Sequence, residues 1–171
     1  RVYTCQCRQK VNDLVARDGT GANGSKGLVT AVDGDTYPLA VTPDANFEGN
    51  LTVDVAAAAA VDAASNPSTA ATQSVQAVDT KAPTVTITDD ESGTANIAGG
   101  DVVYTFQFSE NVTGFDASDV TVANGTKGLF TAADGDTYTL AGKPGAKIEG
   151  HLTVDVAAAA AVAAAGNPGT G

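Results

Sequence analysis

The hexapeptide beginning at Asn23 (N-G-S-K-G-L) returns at Asn124 (N-G-T-K-G-L), and the offset of 101 residues (124 − 23) then holds without a gap to the chain end. Residues 23–70 and 124–171 share 34 of 48 positions, which only duplication explains. A chain of this kind folds as two similar units, so each strand, turn or chemical group read in one copy is checked at the same place in the other. Upstream the likeness thins, with residues 2–22 matching 103–123 at 9 of 21 positions. There Cys5 and Cys7 stand where the second copy has Phe106 and Phe108, and Gly19 and Gly21 stand where it has Val120 and Val122.

The proline-containing polar run 79–83 suits a stiff linker and divides the chain into a copy at 1–78, the linker, and a copy at 84–171. The first copy has no counterpart of residues 84–88 and the second none of residues 72–78, so each is expected to be one strand short: its first strand in copy 1, its last in copy 2. With no initiator Met and no apolar run of signal-peptide or membrane-span length, the chain reads as an interior piece of a longer protein.

Val, Thr, Gly and Asp dominate, and helix-type amphipathic patterning is absent. Residues 84–88 alternate apolar and polar and predict a first strand. Over 101–108, Val102, Tyr104, Phe106 and Phe108 fall on one face, which makes Phe106 and Phe108 the expected core anchors. Further strands are expected at 119–122, 128–132, 137–140 and 151–156, with 72–78 closing the set in copy 1. Asn124-Gly125 carries the strongest short hairpin signal, and Asp134-Gly135-Asp136 predicts a turn. The alanine runs 56–60 and 157–161 are too short to hold a helix unaided; at most one turn in a loop is expected. The unbroken offset also predicts equivalent environments for Tyr37 and Tyr138. Short strands at this spacing indicate an all-β sandwich of about seven strands per repeat.

The motif F-S-E-N-V-T-G-F at 108–115, then S-D-V-T-V at 118–122, Asn124-Gly125, and D-A-A-S-N-P at 62–67 resemble the bacterial Ig-like repeats of giant adhesins and biofilm-associated surface proteins. The resemblance covers nearly the whole chain and implies tandem immunoglobulin-like sandwiches in an extracellular stalk or spacer on the bacterial cell surface. Two departures stand out: Cys7-Arg8-Gln9 replaces Phe-Ser-Glu in copy 1, and Ala163 replaces the Asp in copy 2.

Nine Lys and Arg against 20 Asp and Glu give a net charge of −11, which disfavours nucleic acid. The bases gather early, as Arg1, Arg8, Lys10, Arg17 and Lys26, beside the acids Asp13 and Asp18. His151 is the one histidine and aligns with Asn50, so a surface position suits it better than a catalytic base. Cys5 and Cys7 share a strand face and are poorly placed for a mutual disulfide; no second Cys or His cluster completes a metal site, and two small core residues are the simpler reading. The Asp-Gly-Asp turns at 33–35 and 134–136 lack the further oxygen ligands of a calcium loop.

Topology singles out one acidic set. The turn at Glu110 and the loop holding Ala163 and Asn167 belong at the linker end of a sandwich, where Asp79 joins them, with Asp62 and Asn66 the equivalents in copy 1. Oxygens from these residues could bind Ca²⁺ and stiffen the array; the competing reading is a hydrogen-bonded turn network. Copy 1 keeps Asp62 but has Gln9 for Glu110, and copy 2 keeps Glu110 but has Ala163 for Asp62, so any calcium affinity is expected to be weakened in both. The sequence thus points to a non-enzymatic spacer whose partners are neighbouring repeats, with a host or cell-surface ligand engaged through the parent protein and no membrane insertion. A calcium-dependent adhesive module is the alternative.

Overall fold

The structure, a computed structural model, describes residues 2–7, 10–12, 14 and 19–171, apart from the side chain of Asn12. Arg1, Arg8, Gln9, Asp13, Arg17 and Asp18, used in the charge and Glu110 comparisons above, lie outside the described residues. The chain separates into two compact units, Arg1–Lys81 and Ala82–Gly171.

The first unit contains β1 (Val2–Gln6), β2 (Val11–Asn12), β3 (Gly19–Ala22), β4 (Gly24–Val29), β5 (Thr36–Pro43), β6 (Glu48–Val55), β7 (Val61–Asp62) and β8 (Ser74–Asp79). One sheet runs β1-β5-β4 and the other β3-β6-β8, all antiparallel, with β2 and β7 paired at one end.

The second unit contains β9 (Val85–Asp89), β10 (Val102–Phe108), β11 (Val112–Thr113), β12 (Val120–Ala123), β13 (Gly125–Ala132), β14 (Thr137–Pro144), β15 (Thr153–Val156) and β16 (Val162–Ala163). Its sheets run β13-β14-β10-β9 and β12-β15, with β11 and β16 paired. Both units follow the immunoglobulin arrangement, in which the first, second, fifth and fourth strands of the sandwich face the third, sixth and seventh. Among the described residues β1 has no neighbour on the side where β10 holds β9, and β15 has none on the side where β6 holds β8.

The alternation read in β10 is the alternation observed: Val102, Tyr104, Phe106 and Phe108 are buried and the residues between them are not. They meet Tyr138 and Leu140 of β14 and, across the sandwich, Val120, Val122, Val154 and Val156. Phe115 fills the middle, edge-on to Phe106 at 5.4 Å, Phe108 at 5.0 Å and Tyr138 at 5.1 Å, a geometry aromatic quadrupoles favour.

At the matching positions copy 1 has Cys5, Cys7 and Leu14, and its described core falls into two clusters, one around Leu39, Leu51 and Val53, the other around Val11, Tyr37 and Ala60. Three aromatic rings join the second core, whereas in copy 1 Val29 packs against both clusters.

The missing neighbours change the strands that remain. β6, paired on both sides, extends over eight residues and its Leu51 is 0% exposed. The matching segment 149–156, which differs only in His151 for Asn50, is a strand for only four residues in β15, and Leu152 falls outside it, half-buried. His151, expected to open this strand, lies before it, and among the described residues no strand pairs with the residues that precede β15.

The hairpin expected at Asn124-Gly125 is also corrected. β12 pairs with β15 and β13 pairs with β14, so Asn124-Gly125 turns the chain from one sheet into the other. Asn124 has φ 61° and its counterpart Asn23 φ 67°, while the following glycines do not share the positive φ that a type I′ hairpin demands at both positions. Gly125 is required for a different reason: a Cβ there would sit 2.5 Å from the carbonyl oxygen of Lys143.

The alanine runs form turns, with Ala58 and Ala159 in the left-handed region at φ 62° and 60°. The edge strands β4 and β13 each carry a register shift at Gly27-Leu28 and Gly128-Leu129, which leaves Leu28 84% and Leu129 76% exposed. Such a bulge interrupts an edge that could otherwise template further pairing.

Candidate functional site

Of the acidic residues singled out from sequence, Asp62 and Asp79 end strands and Glu110 sits in a bend, and the carboxylates of Asp62 and Asp79 accept N–H groups of the residues that follow them. Asp62 ends β7, and its Oδ1 accepts the N–H groups of Ala64 and Asn66, both at 2.8 Å, while Oδ2 accepts the Asn66 side-chain amide at 2.9 Å. Those bonds, the Asn66 side chain first, hold the Asp62 carboxyl below the usual carboxylate range. Ser65, inside the loop, takes φ 66°.

Copy 2 builds the same loop without the carboxylate. Ala163 N–H still donates to Asn167 O at 2.9 Å, as Asp62 N–H does to Asn66 O at 3.0 Å. Gly166 replaces Ser65 at φ 88°. A left-handed backbone costs a serine more than a glycine, so the side-chain bonds of Asp62 and the glycine at 166 are two solutions to one turn. The sequence analysis read only the exchange of Asp62 for Ala163; the dihedral angles connect it with the exchange of Ser65 for Gly166.

Glu110 is half-buried in the bend between β10 and β11. Pairing of Val112 with Ala163 brings this bend and the loop of Asn167 to the same end of the second unit. Asp79 closes β8 opposite Glu48 in the first unit, and its Oδ1 accepts the N–H of Lys81 at 2.9 Å. Among the described residues, no three His, Cys, Asp or Glu side chains gather in a group that could hold a metal ion.

The Asp-Gly-Asp turns and Asp116 repeat the pattern of Asp62. Asp134 Oδ1 accepts the N–H groups of Asp136 at 3.2 Å and Thr137 at 2.8 Å, and Asp33 Oδ1 accepts that of Asp35 at 3.0 Å. Thr137 is the leading cause that depresses Asp134, the Asp35 N–H the leading cause for Asp33, and Ser118 the leading cause for Asp116. His151 is exposed, and its carbonyl accepts the Asn124 side-chain amide at 2.7 Å, as the Asn50 carbonyl accepts that of Asn23 at 2.8 Å. The position serves through its backbone, which explains why Asn can replace His.

Cys5 and Cys7 are free thiols packed half-buried against the Val11 cluster. Burial raises both, helped by Cys7 for Cys5 and by Asp35 for Cys7, which favours the protonated thiols.

Two features escaped the sequence reading. Lys127 Nζ donates to the carbonyls of Ala117 at 2.7 Å and Val120 at 2.9 Å, and Lys26 Nζ donates to that of Gly19, so one lysine per copy ties its edge strand to the opposite sheet. The linker threonine Thr80 accepts the N–H of Phe47 at 3.0 Å and donates to the carbonyl of Asp44 at 2.7 Å. The repeated Lys-Gly-Leu was the visible signal for the first; nothing in the sequence marked the second.

The protein-family comparison matches one model twice, described as a bacterial Ig-like domain, over residues 4–78 and 79–171. No curated protein and no solved structure matches the chain.

Proposed function

The chain belongs to the bacterial Ig-like domain family, and on that premise we propose that its two units are structural spacers in the stalk of an extracellular adhesin, projecting a terminal adhesive region from the cell surface. The observation that carries this reading is what duplication kept and what it let change. Tyr37 and Tyr138, Lys26 and Lys127, and Asn23 and Asn124 make the same framework bonds in both copies. Three residues with distinctive chemistry do not persist: His151 aligns with Asn50, Asp62 with Ala163, and Glu110 with Gln9. A site under selection for chemistry would show the opposite bias.

Domains of this family are typically structural and often extracellular, and among the described residues no helix is long and apolar enough to cross a membrane. The acidic surface supports the same reading, since like charge keeps neighbouring stalks apart and soluble. Neighbouring repeats are then the immediate partners, and an adhesive target is engaged elsewhere in the parent protein. Concatemers of the 101-residue repeat test this by small-angle scattering. The spacer reading expects maximum dimension to rise in proportion to repeat number; a compact particle that stops lengthening would overturn it.

A further inference from the structure

Asn23 and Asn124 stand at the same corner of the two copies, and no other asparagine of the chain precedes a glycine. In that dipeptide the asparagine side chain is most open to attack by its own backbone, because the glycine nitrogen has no Cβ beside it to hinder the approach. The fold holds both partners of such an attack apart. The asparagine takes the left-handed conformation, with φ 67° at Asn23 and 61° at Asn124. Its side-chain amide donates to the carbonyl of Asn50 at 2.8 Å or of His151 at 2.7 Å, and its own carbonyl accepts the N–H of Asp44 at 3.1 Å or of Gly145 at 2.9 Å. The glycine opens β4 or β13 in register with Pro43 or Pro144. For Cγ to reach the glycine nitrogen, the amide must first leave the carbonyl to which it is bonded.

We propose that Asn23 and Asn124 are deamidation sites gated by folding, inert while the corner is closed and converted to aspartate or isoaspartate when their unit opens. In the open chain the nitrogen of Gly24 or Gly125 attacks Cγ and gives up its proton, and the side-chain nitrogen leaves as ammonia. Water then adds to either carbonyl of the cyclic imide, so the net change is amide plus water to acid plus ammonia.

The product does not fit the corner. Aspartate has no N–H for the carbonyl of residue 50 or 151 and sets a carboxylate against it. Isoaspartate also lengthens the backbone by a carbon atom where there is no room: even a Cβ on Gly24 would come within 2.7 Å of Leu51 Cδ1 and 2.8 Å of the Thr42 carbonyl oxygen, and one on Gly125 within 2.5 Å of Leu152 Cδ1. A unit open long enough to react therefore refolds less stably, and its opening is recorded irreversibly. The amide bond is present in copy 1, where β6 is paired on both sides, so it does not arise from the unpaired side of β15. Gating needs only a unit that opens, and so is independent of the spacer role.

The full 171-residue chain and a peptide of residues 20–28, which holds Asn23-Gly24 outside the fold, are aged in the same mildly alkaline buffer. Conversion is read by mass spectrometry of digests, with isoaspartate detected by isoaspartyl methyltransferase labelling. Both asparagines of the folded protein should react more than about tenfold more slowly than the peptide, because the reactive form is reached only by opening. Leu51→Ala hollows the core of the first unit and should speed the reaction at Asn23 while Asn124 keeps its rate. A variant whose first unit cannot fold takes Asn23 to the peptide rate with Asn124 still protected, which is the limit of the same effect. Asn23→Asp, the unbranched product, should melt below the parent chain. Reaction of the folded protein at the peptide rate, an Asn23 rate indifferent to Leu51→Ala, or an Asn23→Asp chain that melts like the parent overturns the proposal.

Discussion

The hydroxyl of Tyr37 donates to the carbonyl of Val11 at 2.8 Å, and Tyr138 makes the same bond to Val112 at 3.3 Å, each from a ring 7% exposed. In both copies the bond ties the long central strand to the short strand that begins the end pair, β2 with β7 or β11 with β16. A buried carbonyl deprived of its donor is costly, so Tyr37→Phe and Tyr138→Phe are each expected to lower stability by about 1 kcal/mol. Amide exchange resolved by unit should show each loss confined to its own unit.

Restoring the aromatic centre of copy 1 should strengthen it. Cys5→Phe with Cys7→Phe rebuilds the pair that meets Phe115 in copy 2, and burial of each ring is worth about 1.5–3 kcal/mol when complete. Leu14 stands in for Phe115 and the β1 edge is open, so about half that gain is expected from the double variant, read as a higher melting temperature of the first unit. A lower one would show that the two clusters of copy 1 have closed around the cysteines and no longer accept the larger rings.

The loop at Asp62 is expected to tolerate the solution of copy 2 only when both halves are transferred. Asp62→Ala removes the acceptor of three bonds and destabilises the first unit; adding Ser65→Gly relieves a left-handed serine and should recover about 1 kcal/mol. The folded-state pKa of Asp62 lies below its ordinary value, so its contribution is present above the ordinary carboxylate pKa and disappears as pH falls through the depressed one. Asp62→Asn should flatten the acid limb of the stability profile accordingly. On the turn-network reading, melting curves in calcium and in EDTA superimpose; a higher melting temperature in calcium would instead favour the cation reading of Asp62, Asn66, Asp79, Glu110 and Asn167.

Much of this was legible because a gapless duplication carries register. Phe106, Phe108 and the shared setting of Tyr37 and Tyr138 followed from period-two alternation and the offset. The Asn124-Gly125 corner was misread because a hairpin signal describes local backbone preference, whereas the sheet each strand enters is decided by long-range pairing. His151 was placed in a strand that its missing neighbour does not support. The Asp62 and Ser65 exchange was visible as letters but not as one event, since the φ of residue 65 is not written in the sequence.

The contrast between Leu51 and Leu152 makes a prediction about β15. Appending the sequence of residues 71–80 after Gly171 places a β8 equivalent in register, because residue 70 corresponds to residue 171. The strand should then extend back through residues 149–152, bury Leu152 and slow amide exchange there. Exchange unchanged by the extension would mean that the short strand has a cause other than the empty edge.

The most direct test of the spacer account is mechanical unfolding of single concatemers of the repeat. Independent sandwiches give one force peak per repeat, with equal contour-length increments of about 300 Å, close to the extended length of 101 residues less the folded span. Extension without regular peaks, or increments unrelated to the repeat length, would contradict an array of self-sufficient structural units.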